Sequence, residues 1–177
     1  MSFVRPAVAA ALAAPLLLLP AAARGGTARP VATTLSGSAV DGAYYVKDAA
    51  TGRCLAGDEV ATCGSDGTEW SLRNHGDGTV QFQQAAAGSR CLTLPDALTY
   101  PADVLLRACD STVLKDPSPD AAERAALADR WRIEGWADGP VTIAHAYPPT
   151  GRLAIRGTAV QVSNNSSSVW VLNPVDK

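Results

Sequence analysis

The stretch Thr51-Gly52-Arg53-Cys54-Leu55 recurs, altered, as Gly88-Ser89-Arg90-Cys91-Leu92 and as Thr150-Gly151-Arg152-Leu153-Ala154. Each copy is a turn of small residues that runs into an apolar pair. In the third copy a leucine stands where the first two have cysteine. An aromatic or branched residue precedes each copy: Tyr45, Phe82 and Ile143. A second marked position follows each: Cys63, Cys109 and Ser163. Each copy then reaches a tryptophan two residues before an aliphatic residue: Trp70-Ser71-Leu72, Trp131-Arg132-Ile133 and Trp170-Val171-Leu172. Seven residues separate Cys63 from Trp70, as they separate Ser163 from Trp170. Ten separate Trp70 from Val80, as they separate Trp131 from Val141, with Asp77-Gly78 and Asp138-Gly139 at the same offset. Agreement at several independent offsets identifies an internal repeat in three copies.

Between these marks short apolar stretches alternate with Gly, Asp, Asn and Pro turns. This pattern predicts many short strands and an all-β domain. The Asp-Gly pairs are turn dipeptides of the kind hairpins use. A repeat this short cannot bury its apolar face alone, so the copies must close on one another. Trp70, Trp131 and Trp170 are then expected as structural core anchors, one per copy. Trp136 lies outside the motif.

The four cysteines are Cys54, Cys63, Cys91 and Cys109. No Cys-x-x-Cys pair is present, which argues against zinc or redox chemistry. Three pairings are possible. The third copy lacks both cysteines together, and residues lost together within one repeat point to a bond within one repeat. The expected disulfides are therefore Cys54–Cys63 and Cys91–Cys109.

The Cys-Leu, second Cys and Trp spacings resemble those of the ricin B-type lectin domain, over about residues 43 to 175. The resemblance implies a β-trefoil: three four-strand units with pseudo-threefold symmetry. It implies a carbohydrate-binding module as the function. At the family's key positions this chain departs from the pattern. The family's Gln of Gln-x-Trp is Thr68, Asp129 and Ser168 here. The family's sugar-binding Asp, directly after Cys-Leu, corresponds to Ala56, Thr93 and Ile155. Its aromatic platform corresponds to Ala61, Arg107 and Gln161. Sugar recognition needs a carboxylate for paired hydroxyls and a ring for the apolar face, and none of the copies carries both at those positions.

The second copy alone keeps a long cysteine-to-cysteine loop, and it is the expected ligand site. Asp96 and Asp103 can accept hydroxyl hydrogen bonds, Tyr100 can supply a ring face, and Arg107 stands at the platform position. Pro95 and Pro101 stiffen the loop. A rigid loop would equally serve a protein-binding trefoil such as a secreted protease inhibitor. The segments Leu94 to Asp103 and Lys115 to Ala126 are its candidate loops. The expected partner is thus a glycan or an extracellular protein. The second copy also carries an insert, in which Ser118-Pro119 can cap a short helix over Ala121 to Leu127.

No enzymatic constellation is visible. His75 and His145 have no Cys or His at ligand spacing, and no Gly-x-Ser-x-Gly signature exists. The expectation is a non-catalytic domain with no cofactor, no metal and no catalytic residue. The N-terminus predicts export. Arg5 precedes an apolar run from Val8 to Leu19, and Ala21-Ala22-Ala23 offers a cleavage site. The expected organisation is a signal peptide at 1–23, a leader at 24–42 and a trefoil at 43–177. The trefoil divides into repeats at about 43–80, 81–140 and 141–177. Cleavage leaves 14 basic and 17 acidic residues. That weak acidity argues against nucleic acid, which needs a basic stripe. No membrane insertion is expected after cleavage, and the protein is read as a secreted monomer.

Overall fold

The first copy folds as strands β1 (Gly42–Asp48), β2 (Cys54–Ala56), β3 (Glu59–Ala61) and β4 (Glu69–Asn74). The second forms β5 (Val80–Gln84), β6 (Arg90–Thr93), β7 (Ala102–Asp103), β8 (Leu105–Ala108) and β9 (Trp131–Gly135). The third forms β10 (Val141–His145), β11 (Arg152–Arg156), β12 (Ala159–Ser163) and β13 (Trp170–Pro174). This is a computed structural model, and it describes residues 41–84, 88–95, 99–110, 126–135, 139–147 and 149–175. Among the described residues every regular element is a strand. The helix expected over Ala121 to Leu127 falls mostly outside the described residues. Its described end closes in a turn, with Arg130 N–H donating to Leu127 O at 3.0 Å.

Six strands close a barrel. β1 pairs with β4, β4 with β5, β5 with β9, β9 with β10, β10 with β13, and β13 returns to β1. Ring closure leaves none of the six with an open edge. Each copy lends its first and last strand to the ring. The strands between them form three hairpins, β2–β3, β6–β8 and β11–β12. This is the architecture of a β-trefoil, with β7 as an added short strand in the second lobe.

The first and third hairpins turn through two residues each, Gly57-Asp58 and Gly157-Thr158. Gly57 has φ +80° and Gly157 has φ +68°. A two-residue hairpin turn with positive φ at its first central position selects glycine there. The two turns then meet each other. Val60 N–H donates to Thr158 O at 2.9 Å, and Val160 N–H donates to Asp58 O at 2.7 Å.

The register shows what the repeat encodes. Trp70, Trp131 and Trp170 lie opposite Gln84, His145 and Asp48, the last residues of β5, β10 and β1. Two residues back along those strands stand Phe82, Ile143 and Val46, all fully buried. Val46 is therefore the first lobe's equivalent of Phe82 and Ile143. Tyr45, which the sequence comparison paired with them, is only half-buried. Strand side chains alternate faces, so a one-residue slip exchanges core for surface.

A second one-residue correction applies to the third hairpin. Cys54 pairs with Lys47 and Cys91 with Gln83, and the equivalent Ala144 pairs with Arg152. Arg152 thus occupies the cysteine position, and Leu153 joins Leu55 and Leu92 as a fully buried residue. The shared Thr-Gly-Arg letters mislead because five residues connect Asp48 to Cys54 while six connect His145 to Arg152. The disulfides are Cys54–Cys63 and Cys91–Cys109, as the repeat predicts. The three motif tryptophans are completely buried.

Candidate functional site

The second lobe's long loop starts and ends on buried residues. Leu94 packs into the core and its N–H donates to Ala128 O at 2.8 Å. Val104, also fully buried, anchors the far end. Between these anchors the loop leaves its own lobe. β7 pairs with β12, setting Asp103 opposite Gln161 and Ala102 opposite Val162. The exposed Asp103 carboxylate accepts a hydrogen bond from Gln161 Nε2 at 2.7 Å, between its Oδ1 and that amide.

Tyr100 also turns to the third lobe. A Cβ built on Gly151 would lie 2.6 Å from the Tyr100 hydroxyl oxygen and 2.9 Å from its Cε1. Only glycine admits the ring this closely. Burial pushes the Tyr100 hydroxyl above its ordinary pKa, and the Thr150 hydroxyl opposes that shift. Part of the ring expected as a sugar platform is thus spent on packing against Gly151. Arg107 stays on its own hairpin, on β8 opposite Cys91. Asp96 lies outside the described residues. The structure therefore takes Tyr100 and Asp103 to the third lobe and leaves Arg107 on the second.

The register also places the family positions. Ala56, Thr93 and Ala154 follow the aligned leucines, and Ala61, Arg107 and Ser163 lie opposite the aligned Cys or Arg. Ala154 and Ser163 replace the sequence-based Ile155 and Gln161.

The residues that replace the family's Gln each accept a backbone N–H, from the residue after the second cysteine in the first two lobes and from strand β11 in the third. Gly64 N–H donates to Thr68 Oγ1 at 3.1 Å, Asp110 N–H to Asp129 Oδ2 at 2.8 Å, and Ile155 N–H to Ser168 Oγ at 2.9 Å. A side-chain oxygen two residues before each tryptophan is the sequence signal for this role. In the second lobe the role extends into a network. Gln81, fully buried, donates from Nε2 to both Asp110 Oδ1 and Asp129 Oδ2 at 2.8 Å. Arg130 lies 3.6 Å from Asp129 Oδ1 and 3.9 Å from Asp110 Oδ1. The Gln81 and Asp129 hydrogen bonds tie the two ends of the insert together, since residues 110 and 129 flank it.

His145 belongs to the same frame. Its Nε2 lies 3.1 Å from Ala128 O, and its Nδ1 lies against Tyr147 O and the Tyr147 N–H. Trp131 meets its ring edge-on at 5.0 Å between centroids. Burial lowers its pKa, and the carbonyls and Asp129 partly oppose that. His75 sits elsewhere, in the turn between β4 and β5, so the two histidines serve separate elements.

No family model matches this chain, and no curated protein matches it either. Solved structures do. A mosquitocidal holotoxin aligns with TM-score 0.60 and 14% identity, over 78% of this chain and 18% of the toxin. ThreeFoil, a designed protein with three-fold symmetry, aligns with TM-score 0.58 and 18% identity, over 76% of this chain and all of its own. A protein described as the BEL beta-trefoil aligns with TM-score 0.55 and 13% identity, over 81% of this chain and all of its own. At these identities the likeness speaks for fold alone, and with the closed six-strand ring and three hairpins it makes this chain a β-trefoil.

Proposed function

We propose that this protein is an exported, non-catalytic binding module, and that its ligand is a glycan. The observation that carries the reading is the Asp103–Gln161 pair. A carboxylate and a primary amide stand side by side at the surface, joined at 2.7 Å and held by strands of two different lobes. Asp103 keeps a second carboxylate oxygen for acceptance, and Gln161 keeps its amide oxygen. Hydroxyls arranged along a sugar ring are met by acceptor oxygens fixed in this way.

The rigidity of the frame supports a binding role. The second disulfide closes the loop that delivers Asp103, and the β7–β12 pairing fixes its end. A prepaid loop conformation lowers the entropy cost of binding. Two disulfides in a chain with a signal-like N-terminus support export. Affinity for a single sugar is expected to be weak, about millimolar, because a shallow site buries little surface.

The test is a glycan array probed with the secreted protein, run beside a panel of proteases. Binding to a glycan that free sugar competes away supports the reading. An empty array together with stoichiometric protease inhibition overturns it in favour of the inhibitor.

A further inference from the structure

The strand register assembles a larger polar face around Asp103 and Gln161. In an antiparallel pair, residues directly opposite share a face, as do residues two apart on one strand. Gln161 lies opposite Asp103 on one side and Ala154 on the other. Two residues earlier on β12, Ala159 lies opposite Arg156 on one side and Glu59 on the other. One face of this small sheet therefore carries Glu59, Asp103, Arg156 and Gln161, with Ala154 and Ala159 between them. The other face carries Val60, Leu153, Val160 and Val162, all buried in the core.

The polar face is drawn from all three lobes: Glu59 from β3, Asp103 from β7, and Arg156 and Gln161 from β11 and β12. Glu59, Asp103, Arg156 and Ala159 are exposed. Among the described residues neither Glu59 nor Arg156 is engaged in an ion pair or side-chain hydrogen bond. Two carboxylates, a guanidinium and an amide thus keep unused hydrogen-bonding capacity around the exposed Ala159.

We infer that this face, where the three hairpins meet, is a composite glycan-binding site made by Glu59, Asp103, Arg156 and Gln161; this rests on the glycan-binding reading above. The chemistry selects the occupant. A neutral polyol offers both donors and acceptors, and the face answers with acceptors at Glu59, Asp103 and Gln161 and with the fork of donors at Arg156. The exposed Ala159 methyl leaves room for the C–H face of a sugar ring. A site of this kind exists only in the closed trefoil, since each lobe alone supplies a fragment of it.

The experiment measures binding to an array of printed glycans for wild type, Glu59→Gln, Asp103→Asn, Arg156→Ala and Arg132→Ala, with a thermal melt of each. Arg132 is exposed on β9, in the barrel ring. The expected result is a loss of about tenfold or more for each of the first three variants, as removal of a hydrogen bond to a charged group brings. Their melting temperatures should match wild type, and Arg132→Ala should bind like wild type. Should Asp103→Asn lose binding while Glu59→Gln and Arg156→Ala keep it, the composite site is wrong and glycan binding survives. If all three variants bind a glycan like wild type, the site is likewise wrong. Should wild type bind no printed glycan, the glycan reading falls and the site with it.

Discussion

Trp131 donates its indole N–H to the carbonyl oxygen of Leu92 at 2.9 Å, across 39 residues of sequence. The first lobe repeats the bond, from Trp70 to Leu55 O at 2.9 Å. In the third lobe the aligned carbonyl, Leu153 O, accepts from Ser168 N–H at 3.0 Å, and the buried Trp170 Nε1 has no acceptor among the described residues. The threefold pattern therefore holds for shape and fails for one hydrogen bond.

That asymmetry separates two kinds of tryptophan substitution. Trp131→Ala should cost about 3–5 kcal/mol, as large core truncations do. Trp→Phe should discriminate between lobes, because Trp131→Phe orphans the Leu92 carbonyl and Trp170→Phe orphans nothing. The difference should be about 1 kcal/mol. Urea unfolding of the two Phe variants measures it, and equal losses would refute the hydrogen-bond assignment.

The disulfides close loops of 9 and 18 residues. Each should contribute about 2–4 kcal/mol, mainly by restricting the unfolded chain. Peptide mapping without reduction should recover Cys54 with Cys63 and Cys91 with Cys109. Replacing Cys91 and Cys109 together by alanine should lower the melting temperature; an unchanged melt would show that the loop needs no closure.

Gly135 is a sharper test of packing. It has φ +147°, and a Cβ there would lie 2.6 Å from Pro140 O and 2.9 Å from Val141 Cα. Backbone cannot move aside as a side chain can. Gly135→Ala should cost about 1–3 kcal/mol, as overpacking does. Gly76→Ala, strained only by its φ of +77° and with open space around its Cβ position, should cost less. A thermal melt that ranks them the other way would contradict the close approach of β9 and β10.

His145 should make stability depend on pH. Burial lowers its pKa in the folded protein, so the unfolded chain takes up the proton first. The contribution of neutral His145 is complete above the unfolded value, about 6.5, and is lost as pH falls through and below it. Melts between pH 7.5 and 5.5 should show a downward slope that His145→Gln flattens. An equal slope in both proteins would mean that His145 titrates alike folded and unfolded.

The all-β class, the three copies, the tryptophan anchors and the disulfide pairing were legible in the sequence. Each depends on residue type at fixed local spacing: a tryptophan needs a core wherever it stands, and two cysteines lost together mark a bonded pair. The sequence comparison misplaced Tyr45 and Leu153 by one residue each and Ser163 by two. Ser163 lies opposite Arg152 as Ala61 lies opposite Cys54, which puts Asn165 at the Cys63 position. Turn lengths set the strand register, and similar letters in a turn carry no information about which face follows. The candidate site was legible only as a loop. Asp103 was visible as a carboxylate on a stiff segment, yet its neighbour Gln161 lies 58 residues away in another lobe. Tyr100 looked like a free ring until Gly151 came to lie against it. Whether Glu59, Asp103 and Arg156 share a face depends on which strands pair across lobe boundaries. Those pairings arise only when the barrel closes and the three hairpins are forced together over a common core, so tertiary structure alone decided them.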